Sequence, residues 1–402
     1  MTRETIPRRL LVAAGLLAAA CGPAGQKSPP VKAGATDLDA ASTDAKGDAA
    51  AADQPNVPFT MLGGSPRHPN RVEVPGPREA PSVLARFRTG ARVFASPVVG
   101  PDGTVYIGSI DGTFNALRLS GDLRWSYICG EPIFSTAAVS ETGVVYVGCD
   151  DDTLIAFATD GTVRWTYRMD HDVDSAPVIG ESGAIFVGGD GLHSISPGGK
   201  RRWKAFLGRH VNASPAIRSD GLVVAGSHDH RMYAFEPDGT AAFAFGAGGP
   251  IQGAAAVLSG DGLVFGCDDG FVYRLAPKGG LRWKLDTGGP VHGGVAVAAD
   301  ESRVFVGSMS GAVLAIDAKR GAQLWRTETG GPVRSTPVLD TEGRLYFGSR
   351  DHHLYALDAR SGDVIWRVDL GAEIDSTPAL TSGRRIVVGT DDGSVVVLGE
   401  VP

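Results

Sequence analysis

Six tryptophans, Trp125, Trp165, Trp203, Trp283, Trp325 and Trp366, are separated by 40, 38, 80, 42 and 41 residues. Phe243 lies midway in the double gap, 40 residues from each neighbour. One large aromatic per period of about forty residues restricts the chain to an architecture of repeated supersecondary units, because an irregular core has no reason to keep such spacing. The rest of the unit repeats in step. A β-branched or aromatic run ends in glycine at Gly108, Gly148, Gly188, Gly226, Gly266, Gly307, Gly348 and Gly389, which gives eight units. A patch of small residues precedes each run, as in ASPV from Ala95 or STPV from Ser335.

Each unit holds four short runs with strand composition, divided by turn residues. Asp-Gly pairs such as Asp111-Gly112, Asp160-Gly161 and Asp238-Gly239 suit hairpin turns, where positive φ matches strand twist. Four antiparallel strands per unit, repeated radially, specify an all-β, eight-bladed β-propeller. The last unit reaches Pro402 without an aromatic-bearing fourth strand, whereas SVLARFRTG precedes the first unit and places Phe87 38 residues before Trp125. This N-terminal strand is expected to complete the last blade, so that no sheet edge is left open at the seam. On that reading Phe87, Trp125, Trp165, Trp203, Phe243, Trp283, Trp325 and Trp366 are equivalent, one per blade.

The propeller accounts for residues 81–402. Residues 58–80, rich in Pro and Gly but carrying Phe59, Met61 and Leu62, read as a strap packed on it. Residues 22–57 carry almost no large apolar side chains and read as a flexible tether, since they cannot bury enough surface to fold. Residues 1–21 combine Arg3, Arg8 and Arg9 with an apolar stretch too short to span a bilayer, the pattern of an export signal. The signal ends Leu17-Ala18-Ala19-Ala20-Cys21, which resembles the bacterial lipoprotein signal, with leucine one position further out than usual. The resemblance implies lipidation of Cys21. Gly22 in place of an inner-membrane retention aspartate leans toward the outer membrane. An ordinary secretory signal is the rival reading, and both place the mature chain outside the cytoplasm. A net charge of −7 excludes the basic footprint of a nucleic-acid binder.

Function is sought where the repeat varies. Immediately before the small-residue patches stand Phe94, Phe134, Asp174, Asn212, Gln252, His292, Arg334 and Asp375, each following an invariant Val or Ile. Alternation along a strand sends the aliphatic set into the inter-blade core and the variable set toward the rim of the central channel, a candidate binding site. The turns between second and third strands add Asp111, Asp150, Asp151, Asp152, His228, Asp229, His230, Asp268, Asp269, Arg350, Asp351, His352, His353, Asp391 and Asp392 to the same face, and the loops into the first strands add His171 and His210. The aspartates are explained by turn chemistry, and the histidines lack metal-ligand spacing, so neither a metal site nor a catalytic set is expected. Cys149 and Cys267 take a position that elsewhere holds Ser, Thr or Gly, as small apolar residues can. A Cys129–Cys149 bridge within blade two is open in an oxidising compartment, although the inferred register offsets the pair.

The segments VLAIDAKRGAQLW from Val313 and LYALDARSGDVIW from Leu354 resemble the repeats of the pyrroloquinoline-quinone (PQQ)-like propellers, and the likeness extends over residues 59–402. That resemblance implies the eight-bladed fold and two functional branches. Quinoprotein dehydrogenases hold PQQ and calcium over the channel, but carry long inter-strand insertions and an adjacent-cysteine disulfide. Here the units stay compact and no Cys-Cys pair occurs. The other branch includes the propeller lipoproteins of the outer-membrane β-barrel assembly machinery. The leading expectation is therefore a monomeric, non-enzymatic scaffold without cofactor, tethered by lipid and binding a protein partner in the envelope. A periplasmic or surface module binding a small molecule or glycan, and a PQQ-dependent dehydrogenase relative, are the alternatives.

Overall fold

The computed structural model describes residues 59–401. The export signal with Cys21, the tether and residue 58 lie outside the described residues. The described chain contains 32 strands and no helix, arranged as eight four-stranded antiparallel sheets. Seven sheets are consecutive in sequence. The eighth joins Ala379–Thr381, Arg385–Gly389 and Ser394–Gly399 to the N-terminal strand Ser82–Arg88, which pairs with Ser394–Gly399. The ring is thus closed by strands from the two ends of the propeller.

The fixed positions of the repeat are the contacts between blades. In every second strand the glycine leaves room for the aliphatic residue that enters the next blade. A Cβ on Gly108 would lie 2.2 Å from Ile133 Cγ2, and one on Gly389 would lie 2.3 Å from Val93 Cγ1. The aliphatic residues Val93, Ile133, Val173, Val211, Ile251, Val291, Val333 and Ile374 are all fully buried. The small-residue patches lace neighbouring innermost strands: Ser135 Oγ donates to the Ser175 carbonyl at 2.9 Å, and Ser335 Oγ to that of Ser376 at 2.8 Å. The lacing crosses the seam too, where the Thr377 amide donates to Ser96 Oγ at 2.9 Å.

The tryptophans staple each blade to its successor. The Trp125 ring covers Gly161 in the outer turn of blade two, and its Nε1–H donates to the Thr159 carbonyl at 2.9 Å. Trp165, Trp203, Trp283 and Trp325 repeat this with the carbonyls of Pro197, Pro237, Ala318 and Ala359. Phe243 covers Gly279 without a polar contact. Trp366 finds the carbonyl of Pro77 in the strap instead.

The place assigned to Phe87 is corrected. Phe87 pairs with Val395 just as Tyr127 pairs with Phe114, whereas Ala85 pairs with Val397 as Trp125 pairs with Ala116. Ala85 is therefore the eighth member of the tryptophan column, and its methyl faces Gly121. A bulge between Val83 and Ala85, matching the one between Ala116 and Leu117, sets that register.

The strap winds around the end of the ring where the innermost strands finish. The amides of Val99, Val139, Ile217, Val257, Val297 and Leu339 donate to the carbonyls of Phe59, Thr60, Pro66, Arg67, Pro69 and Asn70. His68 and Asn70 are buried there, His68 Nε2 at 2.7 Å from the Pro215 carbonyl and Asn70 Nδ2 donating to that of Val295 at 2.9 Å. Burial pushes the His68 imidazole down to about 4.

Candidate functional site at the channel rim

The opposite end of the channel carries the variable column. Phe94 and Phe134 pack with ring centroids 5.7 Å apart, and the Arg334 guanidinium, from blade seven, stands 5.9 Å from the Phe94 ring centroid in blade one. Asn212 Nδ2 donates to Asp174 Oδ2 at 2.8 Å. The other three members do not meet within their column. Gln252 Nε2 donates to Asp268 Oδ2 at 2.5 Å, and His292 Nε2 lies 3.4 Å from Asp268 Oδ1. Asp375 accepts two hydrogen bonds from Arg350, at 2.8 and 2.7 Å.

Those partners define a second variable column that the sequence reading merged with the turns: Ile110, Asp150, His228, Asp268, Met309, Arg350 and Asp391. Each follows the small residue that ends the second strand, and its amide donates to the loop that leads into a first strand, as Asp150 does to Pro132 and Asp391 to Glu373. Its signal was available. This position changes from acid to base to thioether between two positions that barely change, Ser/Cys/Thr before and mostly Asp after.

The two columns interlock around the channel, and burial shifts their charges. Asp150 is pushed up to about 8 by burial and by the neighbouring Asp174 carboxylate. Burial also raises Asp174, and burial with Asp375 nearby takes Asp391 to about 6. Burial lowers His228 and His292, keeping both imidazoles neutral at pH 7. His171, His210 and His228 form a row, with successive centroids 5.0 and 4.4 Å apart. Six buried atoms of the two columns have no hydrogen-bond partner: Asp150 Oδ1, Asp174 Oδ1, His228 Nε2, Asp268 Oδ1, His292 Nδ1 and Asp391 Oδ1.

The aspartates after this column are structural. Asp111, Asp229, Asp269 and Asp351 accept the amides of Gly90, Gly208, Gly248 and Gly330 at 2.5–3.0 Å. Tyr233, Tyr273 and Tyr355 donate to the last three of these aspartates. Among the described residues, the group of His, Cys, Asp or Glu that brings three ligand atoms within 4.8 Å of one another is Cys129, Cys149 and Asp151. Its two sulfurs are bonded to each other.

That disulfide corrects the expected offset. Cys129 leaves the outer strand of blade one (Leu123–Ile128), while Cys149 ends the second strand of blade two (Val145–Cys149), so the bridge joins two blades. Their Cα atoms are 6.7 Å apart. Between blades five and six the same two positions hold Thr287 and Ser308, with hydroxyls 3.1 Å apart. At Cys267 the corresponding neighbour is Ala247, and the buried thiol stays free, pushed up to about 12 mainly by burial.

Ile128 and Phe206 stand at the ends of outer strands on the rim face, 69% and 79% exposed. Two cavities, about 240 and 800 Å³, lie away from the rim. One is lined by Leu258, Arg274 and Pro277, the other by strap residues Arg71 and Glu73 with Arg303 and Glu342.

Comparison with known proteins accords with this geometry. BamB from Moraxella catarrhalis superposes with a TM-score of 0.67 at 17% identity, over 80% of this chain and 100% of that one. A europium-containing methanol dehydrogenase gives 0.72 at 15%, over 86% and 98%. The quinohemoprotein alcohol dehydrogenase of Comamonas testosteroni gives 0.71 at 13%, over 86% and 81%. At these identities the likeness is one of fold. No curated protein sequence matches the chain. The family description of the outer membrane protein assembly factor BamB matches residues 81–236, 170–283 and 268–400, which together span the propeller, and the chain belongs to that family.

Proposed function

We propose that the protein is a non-enzymatic scaffold of the cell envelope that docks a partner protein on its rim face and serves the assembly of outer-membrane proteins. The family match across all eight blades carries this reading. The rim face supplies a place for it, because Ile128 and Phe206 are large apolar side chains left in water at strand ends, where a partner would gain by covering them. Attachment through a lipidated Cys21 and a tether would hold the propeller near a membrane. The two dehydrogenases share the fold, and a quinone cofactor is not part of this proposal.

The test is affinity capture from cells producing the full chain, compared with Ile128→Asp and Phe206→Asp variants. One envelope protein recovered with the parent chain and depleted at least tenfold with the variants is the expected result. Equal recovery with all three chains would remove the rim face from the proposal. Alcohol oxidation after addition of PQQ and calcium would replace it with an enzymatic role.

A further inference from the structure

The rim holds a feature that protein docking on Ile128 and Phe206 leaves unused. Phe94 and Phe134 form an aromatic platform at the channel mouth, and Phe134 remains 39% exposed. Two guanidiniums flank it, Arg92 at 6.0 Å and Arg334 at 5.9 Å from the Phe94 ring centroid. Among the described residues neither makes an ion pair, in contrast to Arg350, which is held by Asp375. Across the mouth, Asp174 and Asp268 each spend one carboxylate oxygen on the amide of Asn212 or Gln252, and the other oxygen has no hydrogen-bond partner.

We propose that the rim is a carbohydrate site for an acidic oligosaccharide. Its sugar rings stack on Phe94 and Phe134, a carboxylate lies between Arg92 and Arg334, and its hydroxyls donate to Asp174 and Asp268. A pyranose presents an apolar C–H face bordered by hydroxyls, so it matches a site with an aromatic wall on one side and acceptors on the other. The two free guanidiniums set the ligand's charge, since they attract a carboxylate and repel a basic peptide. The unpartnered carboxylate oxygens set its hydrogen bonding, because a buried acceptor without a donor is costly and a hydroxyl donor relieves it. The proton on Asp150 supports this arrangement by removing a negative charge from beside Asp174. Small rotations of Asp174 and Asp268 bring these buried oxygens to the ligand hydroxyls.

The experiment uses the purified mature chain with tetrasaccharides of galacturonate, glucuronate and mannuronate. Maltotetraose is the neutral control and tetralysine the basic one. Saturation-transfer NMR and calorimetry report binding. At least one acidic tetrasaccharide should bind with Kd below ~1 mM. Arg334→Met should weaken it at least tenfold, and Phe134→Ala should do the same while removing saturation transfer to the sugar C–H protons. Ile128→Asp, in the docking patch, should leave it unchanged, so this site and the docking surface fail separately. Near-UV circular dichroism checks that each variant keeps its fold. Three outcomes overturn the proposal: no acidic sugar binding up to ~10 mM, binding indifferent to both rim variants, or tetralysine binding in place of the sugars.

Discussion

The notch between blades can be tested where the ring closes. A Cβ on Gly389 would lie 2.3 Å from Val93 Cγ1 and 3.1 Å from the Val93 carbonyl oxygen, against a comfortable separation of about 3.5–4.0 Å between carbons. Val93 is β-branched and stiff at χ1, so it has little freedom to turn away. Gly389→Ala should therefore cost about 1–3 kcal/mol by overpacking. Val93→Ala alone leaves a cavity and should cost about 2 kcal/mol. In the double variant the new methyl group occupies space vacated by the old ones, and the cycle should show about 1–2 kcal/mol of favourable coupling. Gly148 provides the contrast. Its nearest obstacle is the carbonyl oxygen of Val173 at 2.1 Å, which Val173→Ala does not remove, so that cycle should show little rescue. Urea unfolding followed by tryptophan fluorescence reads all six variants. Additivity within about 0.5 kcal/mol at the Gly389 pair, or a neutral Gly389→Ala, would refute the notch as the reason for the repeated glycine.

Three further outcomes follow from buried groups. The His68 imidazole is held at about 4 in the fold against about 6.5 in an unfolded chain. The unfolded state therefore takes up its proton first as pH falls, and roughly 3 kcal/mol of stability should be lost between pH 6.5 and 4. His68→Asn should flatten this acid limb in urea titrations. Asp150 has the opposite sign: its folded value of about 8 exceeds that of a free carboxyl, so its favourable contribution is lost as pH rises from about 4 to 8. Because Asp150 is only partly buried and solvent screens its charge, Asp150→Asn should gain no more than ~2 kcal/mol relative to the parent at pH 9, read as an upward Tm shift. Breaking the Cys129–Cys149 bridge by reduction should cost about 2–4 kcal/mol, and Cys129→Thr with Cys149→Ser should recover part of that by recreating the Thr287–Ser308 hydrogen bond.

The period carried the fold. Each repeated residue marks a contact between successive blades, so blade count, strand order and closure were all legible from spacing. The errors trace to features that spacing does not encode. Phe87 was misplaced by two residues because the true counterpart, Ala85, is not aromatic and Phe87 is the aromatic of that strand. The disulfide was set aside because its cysteines were placed in one blade, whereas Cys129 ends an outer strand and Cys149 belongs to the next blade. The strap's path was invisible in detail, since its carbonyls rather than its side chains receive the strand amides. At the rim, the column from Phe94 to Asp375 was found because alternation isolates it. The column through Asp150, His228 and Arg350 was hidden beside turn aspartates that look chemically alike but serve the backbone.

The central functional claim is that the rim face is where a partner protein docks, and site-specific photo-crosslinking in intact cells tests it most directly. A photoreactive residue is placed at Phe206 on the rim face and, separately, at Leu281, which is 49% exposed on an outer strand. The account predicts one discrete envelope-protein adduct from position 206 and none from position 281. Adducts from both positions alike, or from 281 alone, would contradict it.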